Sequence, residues 1–104
     1  MTAPSTIDVT TTNILFEGAD PVGLLPEISA SRYLEALRER IGERFPKARV
    51  FIKWVPTRRS PTDVVTLPKV EGAEEVVLEL AEALRHEREA WVRHDEAVRA
   101  AFAT

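Results

Sequence analysis

The sequence predicts an α+β domain: a small open sheet in β-α-β-β-α order, two helices on one face, and a long C-terminal helix. Three observations carry this. Stretches near residues 7–11 and 49–55 alternate side-chain character with a period of two. The segment between them repeats apolar residues at spacings of three and four. From Ala73 onward the chain has no proline or glycine, and the apolar spacing is helical again.

Taken in order, "TIDVTTTNILFEG" reads as the first strand. Ile7, Val9 and Thr11 alternate with Asp8, Thr10 and Thr12, and the parity slips at Thr12–Asn13, where a bulge is expected. "EGADPVGLLPEIS" is rich in Gly and Pro but carries Val22, Leu24, Leu25 and Ile28, so it reads as a packed loop. Ser31 is the expected N-cap of a helix whose stripe is Leu34, Leu37, Ile41 and Phe45, stopped by Pro46. In "ARVFIKWV", Val50, Ile52 and Trp54 form the core face of a strand, and Arg49, Phe51, Lys53 and Val55 the outer face. "PTRRSPTD" is a turn and "DVVTLP" a short third strand.

The last helix is expected to run from Ala73 to Ala103. At about 31 residues it is about 46 Å long, whereas strands of about six residues reach only about 20 Å. Val77, Leu84, Trp91 and Val98 recur every seven residues. The overhang carries Trp91, Val98 and Phe102, a seam suited to a homodimer of antiparallel helices. A break near His94 that folds the tail back is the competing solution. Residues 1–104 form one domain, with 1–5 a flexible tail and 92–104 a helical extension.

Composition narrows the classes of function. With 44% hydrophobic and 30% charged residues, the chain is too apolar for disorder and ordinary for a soluble domain. The absence of cysteine excludes disulfides, thiolate metal sites and a cysteine nucleophile. No apolar run approaches the roughly 18 residues of a membrane span, and "MTAPSTID" lacks the regions of a signal peptide, so a cytoplasmic location is expected. The bias toward Ala, Arg, Glu, Val and Leu, with three lysines, suggests a GC-rich bacterial or phage genome.

The net charge of −3 conceals a segregation. Lys47, Arg49, Lys53, Arg58 and Arg59 lie between Phe45 and Thr62 with no acid among them, while nine cations face seventeen acids elsewhere. Arg49, Phe51 and Lys53 set an aromatic between two cations on one strand face, and Arg58 and Arg59 extend the track. Bases stack on such an aromatic while cations take phosphates, so a single-stranded nucleic-acid contact is one reading. A solvated strand with a charged outer face is the other.

Catalysis is not expected. His86 and His94 are eight apart, about 80° out of line on a helix. Glu82 and His86 have metal-ligand spacing, but ion pairing on a helix face accounts for it. None of the nucleophile-elbow, phosphate-loop or dinucleotide motifs is present. No metal or cofactor is implied, and an enzyme or enzyme subunit is the least favoured reading.

The final helix opens with Glu71, Glu74, Glu75, Glu79 and Glu82 before its first cation, Arg85. The helix dipole accounts for Glu74 and Glu75 but not for Glu79 and Glu82, which lie beyond the first turn. A negative ridge docking on a basic groove of another protein is the functional reading. The run "YLEALRERIGERFPKARVFIKW", with Leu34, Leu37, Arg38, Ile41, Phe45–Pro46, Val50, Ile52 and Trp54, resembles the DinI family of small DNA-damage-inducible proteins. "EEVVLELAEALRHEREAW" falls where that family's acidic last helix stands. The resemblance covers about 80 residues and implies a β-α-β-β-α fold. It also implies a regulatory protein that binds a recombinase filament, with Glu74, Glu75, Glu79 and Glu82 imitating the charge of DNA.

Overall fold

The computed structural model describes residues 3–103; Met1, Thr2 and Thr104 lie outside the described residues. Strand β1 (Thr6–Thr12) is central, with β2 (Arg49–Val55) parallel on one side and β3 (Asp63–Leu67) antiparallel on the other. The register pairs Val9 with Ile52 and with Val64, so Ile7, Val9, Val50, Ile52 and Val64 share one face. This face packs on helices α1 (Pro26–Arg44) and α2 (Ala73–His86) through Tyr33, Leu37, Ile41, Val77, Ala81 and Leu84. The result is a mixed three-stranded α+β layer in the expected element order. Pro4 is buried, and Ser5 bonds Leu67 and Arg49 through its backbone.

Two boundaries differ from the sequence reading. β1 does not continue through a bulge. It ends at Thr12, whose side chain accepts from the Ile14 amide and starts a 3₁₀ turn over Asn13–Phe16. That turn drops Leu15 into the core. Helix α1 begins at Pro26 rather than after Ser31, since a proline at the first helical position gives up only an amide that would be orphaned anyway. Ser29, inside the helix, is buried; its hydroxyl takes the Arg93 amide at 2.8 Å.

The largest correction concerns the C-terminal region. The long helix is three shorter ones: α2 ends at His86, α3 spans Arg88–Trp91 and α4 spans Glu96–Ala103. Neither Gly nor Pro makes the break. Glu87 leaves helical geometry at ψ 58°, and the chain turns so that the Trp91 indole donates to the Leu84 carbonyl at 2.9 Å. Trp91 is fully buried, 5.1 Å from the Tyr33 ring and 5.7 Å from that of Phe16. A straight helix would have left this side chain beyond the sheet. Burying an aromatic of this size outweighs one interrupted turn of backbone bonding.

Helix α4 is tied to the Gly18–Leu25 loop by the Asp95 amide on the Gly23 carbonyl at 2.7 Å, and by Arg99 near Asp20 at 3.5 Å. Gly23 has φ +71°, and a Cβ there would stand 2.9 Å from the Asp95 carbonyl oxygen. The radius of gyration, 15.3 Å, exceeds the ~13 Å of a compact domain of this length. No helix among the described residues is long and apolar enough to cross a membrane.

Candidate functional site

Two surfaces of opposite charge emerge from the sequence, and the tertiary structure treats them differently. On α2, Val77, Ala81 and Leu84 turn into the core, which sends Glu75, Leu78, Glu79 and Glu82 to the solvent side at spacings of three and four. Glu75 and Glu79 are exposed and have no ion-pair partner among the described residues. Leu78, between them, is an exposed large apolar side chain. Glu74 is partly covered and lies 3.8 Å from the Lys69 ammonium.

Glu82 stands apart from this pair. Arg85 donates to both of its oxygens, at 2.7 and 3.1 Å, and the His86 ring lies 3.0 Å away. The Arg85 hydrogen bonds, foremost, hold the Glu82 carboxyl below its usual range despite some burial. Glu82 is therefore locally neutralised. The free negative charge is concentrated toward the start of the helix, at Glu75 and Glu79, with Glu71 in the turn just before it.

The basic strand behaves otherwise. Arg49, Phe51 and Lys53 do share the exposed outer face of β2, and Phe51 is half exposed. Yet β1 and β3 bring acids onto the same face. Asp8 pairs in register with Phe51, and Asp63 and Lys53 flank Thr10 at one level. The face carries two cations and two anions rather than a cationic track. Arg58 and Arg59 are exposed in the loop between β2 and β3, where Arg59 lies 3.6 Å from Glu17. Strand order decides this, since no spacing within β2 reveals that β1 and β3 will set Asp8 and Asp63 beside it.

Of the three residues expected on an intermolecular helix seam, Trp91 is buried inside its own chain and unavailable to a partner. Val98 and Phe102 remain exposed on α4, Phe102 at 75%. The seam as an unbroken heptad stripe does not exist, because α2 and α4 are separate helices. Glu82 and His86 bond one another, and no group of three or more metal-ligating side chains occurs among the described residues.

A cleft of about 430 Å³ opens between the Gly18–Asp20 loop and the Arg88–Arg99 segment. Its cations are engaged by the fold. Arg88 donates to the Glu17 carbonyl at 2.9 Å and Arg93 to the Glu89 and Val92 carbonyls. The His94 ring lies 3.0 Å from the Asp20 carbonyl oxygen. The Arg88 and His94 contacts fasten the C-terminal segment to the loop, and those of Arg93 brace the segment itself. Sequence reasoning missed Leu78, Val65 and Leu67 as exposed apolar residues; the period of two in "DVVTL" was the signal for the last two.

No family model matches this chain, and neither a curated protein nor a solved structure matches it.

Proposed function

We propose that this chain is a small non-catalytic regulatory or inhibitory module that works by contact with another protein, through the acidic face of α2. One observation carries the reading: Glu75 and Glu79 are exposed and unpaired around an exposed Leu78, whereas the basic strand is offset by Asp8 and Asp63. An anionic ridge with an apolar residue in its middle suits a basic groove floored by apolar side chains. Charge guides the encounter there, and burial of Leu78 adds affinity.

The β-α-β-β-α order agrees with what the resemblance to the DinI family implies, and this supports a recombinase filament as the partner. In that setting Glu75 and Glu79 would stand for consecutive phosphates, with Glu74 and Glu82 flanking them under partial neutralisation. A second reading, single-stranded nucleic-acid binding through Arg49, Phe51, Lys53, Arg58 and Arg59, retains one favourable feature, the half-exposed Phe51 between two cations.

Fluorescence anisotropy of the labelled chain against a bacterial recombinase filament assembled on single-stranded DNA tests the proposal. Binding is expected, with E75K/E79K weakening it by about tenfold or more through like-charge contact. Binding unchanged by the double reversal would remove α2 as the contact, and no binding would remove the recombinase. The same chain titrated with a labelled oligonucleotide distinguishes the second reading. That reading requires an affinity that falls steeply with salt and is lost in R49A/K53A.

A further inference from the structure

The pairing register of β1 sets a pattern on the uncovered face of the sheet. Phe51 and Val65 flank Asp8, Lys53 and Asp63 flank Thr10, and Arg49 and Leu67 flank Thr6. Phe51, Val65 and Leu67 are 52%, 46% and 60% exposed, so this face holds three of the chain's exposed large apolar side chains. We infer that it is a homodimer interface, in which two copies pack sheet on sheet about a twofold axis running along β1.

The face is self-complementary about that axis. A twofold parallel to β1 lays β2 of one copy over β3 of the other, level by level. Phe51 meets the partner's Val65, and Lys53 meets the partner's Asp63; symmetry makes each contact twice. A twofold across the strands would instead stack β2 on β2, setting Arg49 against the partner's Lys53, and like charges exclude it. Packed sheets stand about 10 Å apart, a gap that an extended lysine and an aspartate span between them.

Two levels are not matched. Asp8 lies on the axis and faces the partner's Asp8. Arg49 meets the partner's Leu67, along which its aliphatic stem lies while the guanidinium reaches the solvated rim. Three short strands bury on the order of 1,000 Å² in all, the lower bound of a specific interface. Both features make the dimer weak and reversible. Helix α2 lies on the other side of the sheet, so the acidic ridge stays free in the dimer and this inference does not rest on the function proposed above.

Sedimentation equilibrium of the full chain, from micromolar to millimolar concentration, tests the inference. Dimer is expected at the upper end. K53D and D63K should each weaken association by about tenfold or more. The double variant K53D/D63K exchanges the charges and should restore association to within a few-fold of the parent, while D8N should tighten it. Thermal melts monitor folding of each variant, and the restored double variant separates a lost contact from a damaged monomer. A monomer at every concentration, single reversals without effect, no rescue in the double variant, or no gain in D8N would each overturn the interface.

Discussion

Replacing Trp91 with alanine separates the broken C-terminal region from the continuous helix that the sequence suggests. The indole is fully buried, touches the Tyr33 and Phe16 rings edgewise or tilted, and donates to the Leu84 carbonyl. Truncating a buried tryptophan costs about 3–5 kcal/mol through lost transfer energy and the cavity left behind. Losing the indole's bond adds about 1 kcal/mol, although the Leu84 carbonyl still accepts from the Glu87 amide at 2.9 Å. The sum, roughly 4–6 kcal/mol, compares with a whole-domain stability of about 5–15 kcal/mol. W91A should therefore melt at least about 15 °C below the parent, or fail to fold. W91F keeps a ring in the pocket and loses the hydrogen bond, so its loss should be about 1–2 kcal/mol. Urea denaturation followed by far-UV circular dichroism measures both. On a straight helix Trp91 would project past the sheet, and W91A would alter self-association while sparing the monomer. A loss below about 1 kcal/mol in W91A would refute the packing argument.

Two further outcomes follow from buried polar groups. Burial, with the Glu82 charge second, pushes the Tyr33 phenol above its ordinary value. Its folded pKa exceeds its unfolded one, so its contribution is complete below about pH 10 and is lost as pH rises further. Y33F should cost about 1 kcal/mol at neutral pH, through the lost 2.8 Å bond to the Ala81 carbonyl. It should also flatten the alkaline fall in stability, read from urea midpoints at about pH 8 and about pH 10.5; equal slopes in parent and variant would discount the phenol. The Thr66 hydroxyl is buried on the helix-covered face without a hydrogen-bond partner. T66V should raise stability by about 1 kcal/mol, because an unbonded buried hydroxyl costs about that much; a lower urea midpoint would mean that the hydroxyl is bonded.

Local periodicity was enough to determine much of this molecule. The alternation in "RVFIKWV" turned Val50, Ile52 and Trp54 toward the helices and left Phe51 outside. The three- and four-residue spacing put Leu37, Ile41, Val77 and Leu84 in the core. Such patterns are legible because strand and helix geometry repeat within a few residues. Tertiary structure alone decided the rest. The last helix stops at His86 with no helix breaker in its sequence, since the gain is the burial of Trp91 against Tyr33 and Phe16, more than fifty residues away along the chain. Likewise the charge of "RVFIKWVPTRRSP" was plain in the sequence, but its neighbours were not. Strand order, set by how the apolar faces of all three strands meet the two helices, placed Asp8 and Asp63 on the same surface and cancelled the charge of Arg49 and Lys53 there. On α2 no neighbouring strand intrudes, so the carboxylates of Glu75 and Glu79 keep the exposure that their helical spacing implied.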